Sequence, residues 1–268
     1  MSVTIKSAYE IELMREAGRI LGLVHQQLAK EVKEGMSTLD VDRIGEELIR
    51  SYGCEPNFKG LYGYPGSVCV SVNEEVVHGI PRADHILKNG DIVSLDTGVM
   101  YKGYHSDAAR TVAVGEISRD AQLLIDRTRQ SFFEGMKKAT AGNWLYDISG
   151  AVQDYAESFG YGVVRDLCGH GIGTHLHEDP EIPNFRPQGF LRGKRKGIRL
   201  KEGMTLAVEP MINMGSREVV WMDDEWTVVS EDLSLSAHYE NTIVITKGKP
   251  EILTLTDEEK AAGYLNLF

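Results

Sequence analysis

The chain has 268 residues and a formal net charge of −11 at pH 7. This length can bury a large hydrophobic core, either in one domain or in two fused halves. The acidic balance argues against a protein whose whole surface binds nucleic acid or an anionic membrane. No run of eighteen apolar residues occurs, and the N-terminus carries charges where a signal peptide needs an apolar stretch. We therefore expect a cytoplasmic protein with no membrane partner.

Two helices are predicted in the first part of the chain. From Ser7, apolar residues recur at steps of three and four, which is typical of a helix with one core-facing side. This stripe consists of Ile11, Met14, Ala17, Leu21, Val24 and Leu28. Ser37 or Thr38 can cap a second helix, which is expected to run to about Tyr52 and to stop at Gly53.

Two runs rich in β-branched residues, 92–99 and 109–114, flank a turn-forming segment at 101–103 and predict an antiparallel hairpin. This hairpin places Asp96 and Asp107 nearly opposite each other. Facing residues on one side of a strand pair have Cβ atoms roughly 4.5–5.5 Å apart. Two carboxylates at that distance either share a proton or hold a cation between them. On the hairpin alone, the alternative that one aspartate belongs to the turn stays open.

An internal repeat is indicated by two pairs of matching segments. Residues 34–53 align with residues 141–160, and residues 87–96 align with residues 200–209. The members of the second pair end in carboxylates, Asp96 and Glu209. Matched blocks in the same order predict one catalytic domain built from two duplicated halves, approximately 1–120 and 121–268, each with helices followed by strands. Chance similarity of amphipathic segments is the alternative.

Two further acids extend this pattern. A strand is predicted at 241–245 directly after Glu240, much as residues 111–114 follow Asp107, with a slip of two residues. A pseudo-twofold relation between the halves would bring Asp96 and Glu209 toward one central cleft. Four acids from four strands are then expected to converge.

A glycine-rich segment at 168–180 contains His170 between glycines, followed by His175 and His177. Glycines let the backbone pass close to a ligand or adopt positive φ. The segment has neither a phosphate-loop pattern nor a nucleophile elbow. Three histidines among glycines therefore favour a binding or catalytic site over a structural role.

The candidate ligands form one chemical set: Asp96, Asp107, His170, Glu209 and Glu240. Four carboxylates and one imidazole, without a thiolate, suit Mn²⁺, Fe²⁺, Co²⁺ or Zn²⁺. Four negative charges balance two divalent cations, which predicts a site for two metal ions. Such a pair activates water and polarises a carbonyl, as amide hydrolysis without a covalent intermediate requires.

Five motifs in this sequence resemble those of the type I methionine aminopeptidases, over nearly the whole chain. They are SVNEEVVHGIP at 71–81, the pair DTGV at 96–99 and HSDAART at 105–111, GHGIG at 169–173, AVEPMI at 207–212 and SAHYENTIVIT at 236–246. The resemblance implies an α+β pita-bread fold, with antiparallel strands around a dinuclear metal cleft. It also implies metal-dependent removal of N-terminal methionine from nascent chains, with preference for a small second residue.

The resemblance also implies how the ligands are shared between the metals. Asp96 would chelate one metal, and His170 and Glu209 would bind the other. Asp107 and Glu240 would bridge both ions.

Three residues would act on the substrate. His78 and His177 match the family histidines that contact the scissile amide and stabilise the transition state. An imidazole can donate a hydrogen bond to the charge that develops on a tetrahedral intermediate. Glu209 is also a candidate proton shuttle.

The resemblance implies an apolar pocket for the methionine side chain. Its residues would be Phe58, Leu61, Tyr64, Cys69, Leu176 and Trp226. Methionine is long, flexible and polarizable, so a deep pocket of aromatic and sulfur-bearing side chains suits it. Many bacterial members carry Cys and Tyr where this chain has Phe58 and Leu61, and Phe where it has Leu176.

A basic segment at 183–199 is longer than the connection expected there. Its positive residues are Arg186, Arg192, Lys194, Arg195, Lys196 and Arg199. The segment is either a solvated insertion or a contact with ribosomal RNA near the exit of the nascent chain. The protein is otherwise expected to be a monomer.

Two other functions are compatible with the same fold. A proline-specific relative, such as an Xaa-Pro aminopeptidase or a prolidase, generally carries a large additional N-terminal domain, whereas only about ninety residues precede Asp96. A metal-free binding protein on the same fold should have lost at least one ligand. No ligand is lost from the set above.

Overall fold

The computed structural model describes residues 3–187 and 197–268. Its α-helices in these ranges are α1 Ala8–Glu31, α2 Thr38–Ser51, α3 Arg119–Met136, α4 Leu145–Glu157 and α5 Asp257–Ala261. Its strands are β1 Glu55–Pro56, β2 Val68–Val72, β3 Glu75–Val77, β4 Ile92–Tyr101, β5 Tyr104–Ala113, β6 Gly162–Val163, β7 Gly169–Gly171, β8 Glu178–Ile182, β9 Thr205–Val208, β10 Met211–Asn213, β11 Val219–Trp221, β12 Val228–Ser230, β13 Ser236–His238, β14 Glu240–Val244 and β15 Glu251–Ile252. Within the described ranges, no helix has the length and apolar character needed to cross a membrane.

Both predicted N-terminal helices are present. Ser7 caps α1 in a capping box with Glu10, and the helix continues to Glu31, slightly beyond the predicted stripe. Ser37 caps α2, and Gly53 follows it with a positive φ of 71°. The two helices pack against each other, and α1 also packs on β4 and β5.

The main sheet has nine strands and is antiparallel at each of its pairings. Its central path runs β1-β4-β5-β14-β9-β7-β8, with β2 paired to β4 and β15 paired to β14. Two smaller sheets contain β13-β10-β6 and β11-β12-β3. The strands that carry the candidate ligands are therefore immediate neighbours in one sheet.

The predicted hairpin is β4–β5, but its register differs from the expected one. Lys102 and Gly103 form a tight turn with positive φ, which pairs Tyr101 with Tyr104. Counting back from this turn, Asp96 faces Ala109 and Asp107 faces Gly98. The two aspartates are therefore diagonal neighbours on one face and not a directly opposed pair. Diagonal positions are still within reach of each other's side chains.

The repeated segments adopt matching local conformations. Equivalent glycines at the starts and ends of the aligned blocks all have φ between +71° and +99°. The matched pairs are Gly35 with Gly142, Gly53 with Gly160 and Gly90 with Gly203. This agreement is consistent with duplicated halves at 1–120 and 121–268, which stays a prediction.

The two aligned carboxylates do not hold equivalent places on their strands. Asp96 lies in the middle of β4, whereas Glu209 follows the last residue of β9. The long β4–β5 hairpin extends β4 past the aspartate, whereas Pro210 follows Glu209 and has no N–H for a ladder hydrogen bond.

Candidate metal centre and substrate pocket

Three of the four acids converge around one small residue of the central sheet. Ala109 of β5 faces Asp96 on β4 and Glu240 on β14. Asp107 lies two positions before Ala109 and therefore points to the same face of the sheet. The strand register thus places three carboxylates on one side of three neighbouring strands.

The histidine and the fourth acid come from the adjoining strands. His170 of β7 faces Ala207 of β9, and Glu209 lies two positions after Ala207. The His170 Nε2 atom lies 3.8 Å from an oxygen of Asp107 and 3.8 Å from an oxygen of Glu209. Donor atoms of Asp107, His170 and Glu240 all lie within 4.8 Å of one another. The structure therefore brings the predicted ligands together.

Hydrogen bonds fix the backbone around these carboxylates. The Thr242 hydroxyl accepts a bond from the Asp107 amide at 2.9 Å and donates one to the Asp107 carbonyl at 2.9 Å. The Arg110 guanidinium donates to the carbonyl of Glu240 and pairs with the largely buried carboxylate of Glu259 at 2.7 Å. These bonds hold the carboxylate-bearing strands in one relative position.

The carboxylates are buried, and their ionisation is correspondingly unfavourable. Burial, followed by the charge of Asp107, raises the pKa of Asp96 well above its usual range. Burial also raises the pKa of Glu209 and Glu240, with further contributions from their acidic neighbours. Without a cation, these groups cannot all carry their charges at neutral pH.

Unpaired donor atoms show that the cluster fits divalent cations. Asp96 Oδ1 and Glu240 Oε1 are buried and have no hydrogen-bond partner among the described residues. The Nδ1 atom of His170 lies 2.8 Å from the carbonyl of Gly171, which favours a proton on Nδ1 and a free lone pair on Nε2. That lone pair is on the side of the carboxylates. An oxygen-rich set with one imidazole matches the donors preferred by borderline divalent ions.

The two predicted substrate histidines lie beside this cluster. The His177 ring packs edge-on against His170, with ring centroids 4.5 Å apart. His78 has an unusual positive φ of 59°, a strained conformation that is more common at functional sites. Burial, together with the nearby His177, lowers the pKa of His78 to about 4, so its ring is neutral at pH 7.

One cavity of about 450 Å³ joins the acids to an apolar pocket. Its lining includes the five candidate ligands and, from the remaining predictions, Phe58, Leu61, Tyr64, Cys69, His78, His177 and Trp226. Leu176 does not line the cavity; it is buried in the apolar cluster behind it, together with Phe58 and Tyr64. Leu176 was expected to contact the methionine side chain directly. It instead packs against the residues that form the pocket wall.

The pocket walls are held by specific contacts. The rings of Tyr64 and Trp226 meet edge-to-face at 5.1 Å, and the Tyr64 hydroxyl donates to the carbonyl of Gly79 at 2.8 Å. Cys69 on β2 faces Asp96 on β4. The apolar pocket therefore begins directly beside the acid cluster.

Several residues at the site were not predicted from the sequence. Tyr62 lies at the cavity rim and stacks nearly parallel to His177, with ring centroids 6.3 Å apart. Glu178 also lines the cavity and pairs with Lys6. Glu178 could have been predicted from the sequence, because it directly follows His177. No local pattern pointed to Lys6, which is 172 residues away in the chain.

The basic segment is only partly described. Arg186 pairs with Asp154, and the guanidinium of Arg199 lies over the ring of Trp144 at 4.9 Å. The predicted positive positions Arg192, Lys194, Arg195 and Lys196 lie outside the described residues.

The chain belongs to metallopeptidase family M24, which residues 12–247 match. Within that family it is similar to methionine aminopeptidases from two clostridia. The relative from Clostridium acetobutylicum is 51% identical over 95% of this chain and 100% of its own length. The relative from Clostridium perfringens is 53% identical over 94% of this chain and 99% of its own length. The resemblance inferred from the motifs is confirmed.

Solved structures agree with this assignment. The crystal structure of methionine aminopeptidase from Thermotoga maritima superposes with a TM-score of 0.90 at 42% identity, covering 95% of this chain and 100% of the other. The expected α+β pita-bread fold is confirmed. A prolidase from Pyrococcus furiosus superposes with a TM-score of 0.73 at 24% identity and covers 94% of this chain, but only 66% of that protein. This weaker similarity shows a shared fold alone.

Proposed function

We propose that this enzyme hydrolyses the first peptide bond of polypeptides that begin with methionine. One observation carries the proposal: the acid cluster and an apolar pocket of suitable character form one continuous cavity. The pocket selects the side chain, and the cluster supplies the hydrolytic chemistry. The family and its methionine aminopeptidase members support the same activity.

Two divalent metal ions, with Mn²⁺, Fe²⁺, Co²⁺ and Zn²⁺ as candidates, would be held by the acid cluster. Asp96 would bind one ion, and His170 and Glu209 the other, with Asp107 and Glu240 between them. Four carboxylate charges then match two divalent ions. When bound, the ions supply Lewis-acid polarisation of the carbonyl and activation of water.

The cavity also orients the substrate's first residue. The methionine side chain would enter between Phe58, Tyr64 and Trp226, where aromatic surface favours a thioether. Cys69 of the pocket faces Asp96 across the strands. The free α-amino group of the substrate's methionine would therefore lie at the Asp96 end of the acid cluster. A blocked amino group would not fit there, so cleavage is restricted to the first peptide bond.

Three residues of the chain would serve the reacting bond. His78 and His177 would donate hydrogen bonds to the scissile amide as negative charge develops on its oxygen. Glu209 would accept a proton from the attacking water and deliver it to the leaving nitrogen. The second substrate residue must pass these histidines, so Gly, Ala or Ser should be accepted most readily.

The wider biological setting extends this proposal. Nascent chains are the expected substrates, the cytoplasm the expected location and a monomer the expected form. A ribosome contact through residues 186–199 would be carried mainly by the cluster of Lys194, Arg195 and Lys196, since Arg186 and Arg199 have partners within the chain. Ribosome co-sedimentation that stays the same after those three residues are changed to Ala would exclude this contact.

A peptide assay tests the main proposal. Met-Ala-Ser should be cleaved and Ala-Pro peptides should not, and a strong chelator should abolish the cleavage. Asp107→Asn should lose nearly all activity under all metal conditions, whereas Asp84→Asn, which changes an acid with 88% of its side chain exposed, should be fully active. Cleavage of Ala-Pro in preference to Met-Ala-Ser would instead support a proline-specific enzyme.

A further inference from the structure

A buried ion pair joins the N-terminal segment to the loop that carries His177. Lys6 Nζ contacts Glu178 Oε2, and their side chains are only 5% and 6% exposed. Glu178 directly follows His177 in the chain. An ion pair this well buried is costly to form unless its remaining polar atoms are satisfied.

The Glu178 carboxylate uses both of its oxygens. Its Oε1 atom accepts a hydrogen bond from the amide of His175 at 3.2 Å, and its Oε2 atom accepts one from the Thr4 hydroxyl at 2.7 Å. The same carboxylate therefore joins the loop before β8 to the segment before α1. A change in this carboxylate would be transmitted directly to the backbone on both sides of His177.

Lys6 is itself held in place by the surrounding backbone. Its amide donates to the carbonyl of Gly203 at 2.8 Å, and the next residue, Ser7, caps α1. A Cβ atom at Gly173 would lie 2.4 Å from Lys6 Cε and 2.6 Å from Glu178 Oε1. The ion pair therefore packs directly against the backbone of the loop at Gly173.

The His177 ring depends on this loop for its orientation. Among the aromatic side chains of the described residues, the ring packs edge-on against His170 and stacks with Tyr62. Tyr62 is 79% exposed, so its ring restrains the His177 ring only weakly. The backbone of the loop must therefore set where His177 points.

From this arrangement we infer that Lys6, acting through Glu178, is a positioning residue for His177 in the hydrolytic reaction. The pair fixes the loop so that the His177 ring stays beside the metal cluster and the scissile amide. Lys6 is not among the residues that line the cavity, so its effect is expected on turnover more than on binding of the methionine side chain. The inference rests on the proposed function.

A double-mutant cycle tests it. Lys6→Met should lower kcat on Met-Ala-Ser by about tenfold or more, since a displacement of about 1 Å in a catalytic group can have an effect of that size. KM should change by less than about twofold. Lys6→Arg should recover most of the activity. In a His177→Ala background, Lys6→Met should add almost nothing, because the residue on which it acts is already absent.

The matched control is Lys30→Met, which breaks another α1-region pair, Lys30 with Glu258 at 2.6 Å, whose side chains are 59% and 62% exposed. This control should leave kcat and KM unchanged. The inference is wrong if Lys6→Met keeps normal kcat, or if it reduces activity equally with and without His177. If Lys6→Met does not fold, Lys6→Met/Glu178→Gln removes both buried charges and should show the same loss of kcat.

A readout that needs no turnover separates this inference from the proposed function. The NMR signals of the His177 ring should shift in Lys6→Met and stay unchanged in Lys30→Met. If the wild-type enzyme failed to cleave Met-Ala-Ser, the proposed function would fall, while the ring signals would still test the positioning. Unchanged His177 signals in Lys6→Met would overturn the inference whatever the activity.

Discussion

The acid cluster and the apolar pocket adjoin each other, but they have opposite effects on the stability of the fold. Burial raises the pKa of Asp96 and Glu240, so the cluster opposes folding until cations neutralise it. Phe58 and Tyr64 are buried in an apolar cluster and stabilise the fold as ordinary core residues do. Removing a charge from the acid cluster should therefore reduce the chemistry without destabilising the fold, whereas truncating a pocket side chain should reduce selectivity and stability together.

The largest effect is expected from a bridging acid. Asp107→Asn should lower kcat on Met-Ala-Ser by about a thousandfold, equivalent to about 4 kcal/mol, because it weakens the binding of both ions. Glu240→Gln should behave alike. Metal content and steady-state kinetics measure the effect, and a variant that keeps more than a tenth of wild-type kcat would contradict the bridging role.

A smaller loss is expected when a histidine outside the ligand set is removed. His177→Ala should lower kcat by about a hundredfold, the size of one lost transition-state hydrogen bond. Bound metal should remain at the wild-type level, because His177 is not among the ligands. A parallel fall in metal content, measured by elemental analysis, would place His177 in the metal shell instead.

The pocket should respond through selectivity. Trp226→Ala opens one wall and should raise KM for Met-Ala peptides by about tenfold, because a partly buried aromatic contact is lost. Norleucine should replace methionine with modest loss in the wild type, since the pocket is apolar, whereas Lys and Glu should fail. A wild-type enzyme that cleaves Leu-, Lys- and Met-starting peptides at similar kcat/KM would show that this pocket does not select.

The last effect concerns stability and not activity, and it arises from Glu75, a largely buried acid outside the acid cluster. Burial raises the pKa of Glu75 from its usual 4.5 to about 7. Between these values the folded protein binds more protons than the unfolded chain, so stability falls as pH rises through this window. Glu75→Gln should remove this pH-dependent loss of stability, and it should stabilise the protein at pH 8 by about 3 kcal/mol more than at pH 4.5. Urea unfolding at both pH values measures it, and equal gains would contradict the shift.

The sequence was sufficient for the parts of the site that depend on local pattern. The helix that starts near Ser7, the cap of the second helix at Ser37, the β4–β5 hairpin and the convergence of the four acids follow from periodicity, turns and repeats. The diagonal register of Asp96 and Asp107 could not be predicted, because it depends on which residues form the turn. One residue of slip in a turn changes every pairing along the hairpin.

Long-range contacts could not be predicted from the sequence, for a different reason. The pairing of Lys6 with Glu178 and the bonds of Thr242 to Asp107 join residues far apart in the chain. Lysine, glutamate, threonine and aspartate are all common on protein surfaces, so none of these residues is conspicuous in the sequence alone. Only the packed structure shows that they are buried, and burial is what makes their contacts consequential.

Calorimetric titration of the chelated enzyme with Mn²⁺, followed by turnover of Met-Ala-Ser at each addition, tests the central claim most directly. We predict that about two ions bind per chain, as the charge of the acid cluster requires, and that turnover returns as they bind. Asp107→Asn should bind fewer ions and stay inactive. Full turnover in the chelated wild type, with no Mn²⁺ bound on titration, would contradict the account.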